Sequence, residues 1–156
     1  MSTLSNKKII NATPKEFLDI KFKSKLEVMV YKTLLQVGFN PEYEKYKFTI
    51  WKGIKPTVPF YTRSGLSNVN NQKKLIDITY TPDFFIEYNG VKIIIEVKGH
   101  VNDVFPYKFK MFRKYIEELP DKNDYLIFEI FSKRQLLESI DIIKRYALDR
   151  ENSKST

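Results

Sequence analysis

Apolar positions along this chain fall into two rhythms, one near 3.6 residues and one near 2, and their succession predicts an α/β order. The strongly apolar stretch 25–37 opens on Ser24-Lys25-Leu26-Glu27, a capping-box signature, and Gly38 is placed to end a helix. Thr13-Pro14-Lys15-Glu16 carries the same start signals, with proline at the first helical position, so one broken helix or two short ones are expected over 14–37. Residues 42–51 alternate loosely in aromatic and β-branched side chains and predict a strand. Further strands are expected at 75–81, 84–88 and 91–98, then a helix at 107–118 with Phe109, Phe112, Ile116 and Leu119 on one stripe. Residues 125–131 read as a buried strand, and 134–149 as a last helix burying Leu137, Ile140, Ile143 and Ala147. The pattern predicts a central mixed β-sheet flanked by helices.

Between these elements, residues 53–74 are rich in Gly, Pro, Ser and Asn and predict a long basic loop or connector carrying Arg63, Lys73 and Lys74. No repeat or low-complexity segment is present. A single domain over 13–150 is expected, between flexible tails at 1–12 and 151–156.

The most informative segment is 81–99. Asn89-Gly90 is a two-residue hairpin signal, and such a turn fixes the register: Tyr88 opposite Val91, Glu87 opposite Lys92, and so outward to Asp83 opposite Glu96 and Thr81 opposite Lys98. Alternation then sorts the side chains. Phe84, Ile86, Tyr88, Val91, Ile93, Ile95 and Val97 share an apolar face, while Asp83, Phe85, Glu87, Lys92, Ile94, Glu96 and Lys98 share the other. Glu87 with Lys92 is an ordinary cross-strand ion pair. Asp83 with Glu96 is not, because opposed like charges are destabilising unless something compensates them. A divalent cation, Mg²⁺ or Mn²⁺, is the natural partner for two hard carboxylates, and Lys98 adds a positive charge suited to a phosphate. The bland alternative is a turn aspartate after Pro82 and a solvated Glu96–Lys98 pair; Phe85 and Ile94 on the same face argue instead that it is covered.

Composition narrows the chemistry. The chain has no cysteine, which removes disulfides, zinc-thiolate sites and thiol nucleophiles and suits a reducing compartment. Its one histidine, His100, excludes a histidine-based metal cluster, and nothing assigns it a role. No apolar run approaches a membrane span and the N-terminus lacks a signal-peptide core, so a cytoplasmic protein with no membrane partner is expected. The net charge of +8 favours polyanionic partners.

Pro82-Asp83 followed by Glu96-Val97-Lys98 on the next strand resembles the PD-(D/E)xK nuclease superfamily. Within it, the chain looks most like phage T7-type endonuclease I, a family of Holliday junction resolvases. That likeness runs over approximately residues 20–132, through Phe22-Lys23-Ser24-Lys25-Leu26-Glu27, Gly38-Phe39, Tyr80-Thr81-Pro82-Asp83-Phe84 and Glu96-Val97-Lys98-Gly99. The resemblance implies a restriction-endonuclease-like core and Mg-dependent hydrolysis of DNA phosphodiesters with one or two ions per site. It also implies metal ligands at Asp83, Glu96 and the Val97 carbonyl, catalytic assistance from Lys98, and a further acid at Glu27. From spacing alone Glu27 is better explained as the capping-box glutamate, an order that the resemblance reverses. Arg63, Lys73, Lys74, Lys108, Lys110, Arg113 and Lys114 are candidate DNA-backbone contacts, their alternative being solvated surface. The resemblance further implies DNA, branched or duplex, as substrate and a homodimer, domain-swapped through the connector. A nicking, restriction-like or transposase-associated nuclease and a non-catalytic DNA-binding module are the rival readings.

Overall fold

The computed structural model describes residues 15–99 and 102–155. The expected N-terminal tail, Thr13-Pro14 and His100 lie outside them. Among the described residues the chain is mixed α/β, with three α-helices, one four-stranded mixed sheet and three two-stranded sheets. The described residues fall into two compact units, one of residues 15–45, 82–99 and 123–155, the other of 46–81 and 102–122.

The first unit begins with a correction. The expected helix start is instead a short hairpin, β1 (Lys15–Phe17) and β2 (Ile20–Phe22), turning through Leu18 and Asp19 with φ of 48° and 62°. Phe22 is buried, and Phe17 and Ile20 pack against the core, so tertiary burial overrides the local capping signal. Helix α1 (Lys25–Gln36) starts at N-cap Ser24 and ends as expected, with Gly38 at φ 86° and the Phe39 N–H donating to Leu34 O at 3.0 Å. Its buried face is Glu27, Val30, Tyr31, Thr33 and Leu34.

β3 (Glu42–Tyr43), β8 (Phe84–Tyr88), β9 (Val91–Val97) and β10 (Tyr125–Ile130) form the sheet, in the order β10-β9-β8-β3. Between β3 and β8 come the strands β4 to β7 of the second unit, described below. The β8–β9 hairpin has the predicted register, Tyr88 with Val91 through Phe84 with Ile95, and Asn89 and Gly90 both have positive φ, as a type I′ turn requires. The ladder stops at Phe84–Ile95, so neither the expected Asp83–Glu96 pairing nor the Thr81–Lys98 pairing is part of it. The predicted apolar face belongs to the core: Phe84, Ile86, Val91, Ile93, Ile95 and Val97 cluster with Phe22, Val30, Leu34 and Ile130. Each fully buried isoleucine there contributes about 1.5–3 kcal/mol. The second face is covered too, with Phe85 and Ile94 buried. β10 lies parallel to β9, Glu129 opposite Glu96.

Helix α3 (Lys133–Lys154) closes this unit and is longer than expected, so the supposed tail is helical through Lys154. Its buried stripe is Leu136, Ser139, Ile140, Ile143 and Ala147; Leu137 is exposed, correcting the predicted stripe by one position at its start. The step from 136 to 140 is i to i+4, which keeps the stripe on one side of a 3.6-residue helix.

In the second unit β4 (Phe48–Trp51) pairs with β7 (Ile78–Tyr80), and the predicted 42–51 strand is therefore two strands in different sheets. Helix α2 (Phe105–Glu117) buries Phe105, Phe109, Phe112 and Ile116, with Asn102 Oδ1 accepting from the Phe105 N–H at 2.7 Å at its start. The expected loop 53–74 is not shapeless. Its two limbs run side by side from the β4–β7 root: the Leu75 N–H donates to Ile54 O at 2.9 Å, Gln72 Nε2 to Thr57 O at 3.2 Å, and the Asn71 N–H to Phe60 O at 2.7 Å. They end in a hairpin of β5 (Tyr61–Ser64) and β6 (Ser67–Asn70). At the root, a Cβ on Gly53 would sit 2.0 Å from Leu75 O, so only glycine permits this approach.

Candidate metal and catalytic site

Asp83 precedes β8 by one residue, opposite Glu96 by continuation of the hairpin register. Both carboxylates are buried, at 8% and 4% relative exposure. Pro82 lacks an N–H and so limits the ladder here. Asp83 Oδ2 accepts from the Val97 N–H at 2.7 Å, so Val97 enters the site through its N–H. Lys98 Nζ lies 2.6 Å from Glu96 Oε1, in an ion pair largely withdrawn from solvent.

These surroundings set the acidity of Asp83. Burial pushes its pKa from the usual carboxylate range up to about 8; the Glu96 and Glu27 charges push the same way, against the Val97 N–H and the Lys98 ammonium. Glu96, Glu27 and Lys98, the other residues singled out by the sequence, therefore all act on Asp83.

Glu27 stands on the buried stripe of α1 at the position where a core residue would sit, i to Val30, Tyr31 and Leu34 at i+3, i+4 and i+7. Its carboxylate is held by three donors: Ser24 Oγ to Oε1 at 2.9 Å, and the Lys23 N–H and Tyr43 hydroxyl to Oε2 at 3.0 and 2.7 Å. The Glu27 N–H in turn donates to Ser24 Oγ at 3.1 Å. The capping role is thus real, although the returning backbone bond goes to Lys23 rather than to Ser24. Among the described residues no three Asp, Glu or His side chains converge at metal-ligand spacing. The donor set fits magnesium all the same, since that ion is commonly held by one or two carboxylates with water and substrate phosphate filling the rest.

Sequence reasoning missed Tyr43 and Lys23. Burial and the Glu27 carboxylate raise the Tyr43 hydroxyl's pKa, keeping it a donor. Burial lowers the Lys23 pKa, but Glu44, Asp83 and Glu27 outweigh it and the net shift is upward; its Nζ pairs with Glu44. The only sequence signal is that Tyr43 stands between two glutamates near the start of the predicted 42–51 strand. Glu129, opposite Glu96 across the parallel ladder, was also missed, because parallel register depends on a distant connection.

The basic candidates belong to the other unit. Lys110 and Arg113 are exposed on α2, whereas Lys114 pairs with Glu118, and Lys108 Nζ reaches Thr79 O at 3.4 Å. Arg63, Lys73 and Lys74 are exposed along the 53–76 arm.

Fold and site thus define a mixed α/β protein with a buried carboxylate–lysine cluster at one end of a hairpin. Residues 6–127 match the family described as Protein of unknown function (DUF1064), and the chain belongs to that family. No curated protein and no solved structure matches it. Among the described residues no helix is long and apolar enough to cross a membrane.

Proposed function

We propose that this protein is a magnesium-dependent nuclease hydrolysing DNA phosphodiesters. The observation that carries the reading is the pair of buried carboxylates, Asp83 just before β8 and Glu96 on β9, with the Lys98 ammonium 2.6 Å from the second. Such an arrangement costs stability, and a hard divalent cation offsets that cost. Asp83 and Glu96 would hold Mg²⁺ or Mn²⁺, which when bound lowers the pKa of water and neutralises charge developing on phosphorus. Lys98 keeps a cation beside the scissile phosphate, and the Val97 N–H fixes the Asp83 carboxylate. Glu27, oriented by Tyr43 and Ser24, adds negative potential from the helix side. In the reaction a water oxygen forms the new bond to phosphorus, the ester P–O bond breaks, and the leaving oxygen takes up a proton.

The β8–β9 hairpin followed by α2 and a parallel β10 agrees with the order expected of a restriction-endonuclease-like core. Selectivity for branched DNA and a swapped homodimer rest on the resemblance alone. Supercoiled plasmid, linear duplex and a four-way junction, incubated with Mg²⁺ or with EDTA, test both levels. Mg-dependent cleavage lost in Asp83→Asn supports the nuclease reading, and its survival in that variant would refute the site. Equal cutting of junction and duplex by a monomer would refute the junction-resolving form.

A further inference from the structure

The arm between β4 and β7 is the most one-sided part of the molecule in charge. From Tyr46 to Ile76 the sequence has six Lys or Arg and no Asp or Glu. The unit that contains it carries six of the chain's eight net positive charges. Its tip is a two-stranded antiparallel ribbon with register Tyr61–Asn70, Thr62–Val69, Arg63–Asn68 and Ser64–Ser67. Paired positions share a face, so Tyr61, Arg63, Asn68 and Asn70 project together, and all four are exposed. Arg63 Nε donates to Gly65 O at 2.8 Å, which spends one of its five donors and braces the guanidinium against the turn. At the turn Gly65 has φ 61° and Leu66 is 100% exposed.

We propose that this ribbon docks into the major groove of double-stranded DNA, with Arg63, Asn68 and Asn70 facing base edges and phosphates and Leu66 leading. Two strands lie about 4.8 Å apart, and a ribbon of that width fits a B-form major groove of about 12 Å. Arginine and asparagine are side chains that read guanine and adenine edges there, and an apolar side chain such as leucine suits contact with a thymine methyl in the same groove. The deep, narrow major groove of A-form RNA excludes a ribbon, so the partner is a DNA duplex. A second copy of the chain suits the arm less well. Two arms without an acidic residue repel each other, and four-residue strand edges fall short of the roughly 800 Å² per partner of a stable interface.

The inference leans on the nuclease reading only for the kind of polymer, and binding measured without metal separates the two. Fluorescence anisotropy of a labelled 20-base-pair duplex in EDTA would compare the wild type with Arg63→Ala/Asn68→Ala/Asn70→Ala and with Leu66→Ser. Circular dichroism would confirm the fold of each variant, whose changed residues are exposed. The expected result is at least about tenfold weaker binding by the triple variant, and duplex RNA competing at least about tenfold more poorly than duplex DNA. Unchanged affinity, equal competition by RNA, or a Leu66→Ser variant that dissociates a dimer without losing DNA would overturn the proposal. Arm variants that bind and cut like the wild type would sink the ribbon and leave the nuclease reading standing. Binding that depends on the ribbon, in a protein that cuts nothing with Mg²⁺, would do the reverse.

Discussion

The Val97 N–H donates to Asp83 Oδ2 at 2.7 Å, and Val97 is the residue between Glu96 and Lys98. One strand therefore carries a carboxylate and an ammonium by its side chains while gripping the opposing carboxylate by its backbone. The donor is fixed in the backbone, so Asp83 must give up this bond to rotate away from Glu96.

Asp83→Asn and Glu96→Gln should each lower Mg-dependent cleavage on the order of a thousandfold, since each removes an anionic oxygen donor. Asn can still accept the Val97 bond, so at neutral and higher pH Asp83→Asn should also raise the melting temperature in EDTA, by removing a carboxyl whose anion burial and the Glu96 charge disfavour. Plasmid nicking and differential scanning fluorimetry read the two effects. An active Asp83→Asn variant, or one less stable than wild type without metal, would contradict this account.

The metal-free protein should lose stability as pH rises. Burial, the Glu96 charge and the Glu27 charge raise Asp83 from an ordinary value of 3.8 to about 8, so between these limits the folded state binds more protons than the unfolded one. Stability then falls with pH: the penalty is absent below about pH 4 and complete above about pH 8. Calorimetry in EDTA from pH 5 to 8.5 should show this decline, flattened in Asp83→Asn. Adding Mg²⁺ at pH 8 should restore more stability than at pH 5.

Glu27→Gln separates capping from chemistry. Glutamine satisfies a capping box, so α1 and the melting temperature should change little. Cleavage should nevertheless fall at least about tenfold, because the negative potential on Asp83 and the metal is lost. Full activity in this variant would reduce Glu27 to a helix cap. Tyr43→Phe should cost about 1 kcal/mol of stability through the lost hydroxyl bond to Glu27.

Lys98→Met leaves Glu96 buried and without its ammonium partner. The side chains are 18% and 6% exposed, so this is a buried pair, and breaking it should destabilise the metal-free fold by about 3 kcal/mol. Urea unfolding measures that loss. The double variant Lys98→Met/Glu96→Gln should recover much of it, while cleavage stays abolished.

The site was legible where local signals and burial agree. Asn89-Gly90 fixes a register and alternation fixes two faces, and continued one step past the ladder they bring Asp83 to Glu96, whose charge acts on it. The hairpin at 15–22 was hidden because Leu18 at φ 48° is not a residue that announces a left-handed turn. α3 was misplaced by one position because Leu136 and Leu137 are adjacent and only packing selects between them. The place of Glu27 on the otherwise apolar stripe of its helix is itself a signal, since a carboxylate there is costly to bury for capping alone. The arm's pairing had no such signature: Pro, Gly and Asn obscure alternation, and its limbs meet across up to 23 intervening positions.

Gly53 gives the arm a further property. Its backbone meets Leu75 so closely that the chain leaves and re-enters the unit at a single point. Residues 54–75 are then a cassette, topologically an insertion, whose replacement by a short turn adds little loop-closure entropy. Changes of length in that cassette, made in paired steps, would leave the Asp83 and Glu96 carboxylates in place, so the arm and the carboxylate cluster are free to vary independently.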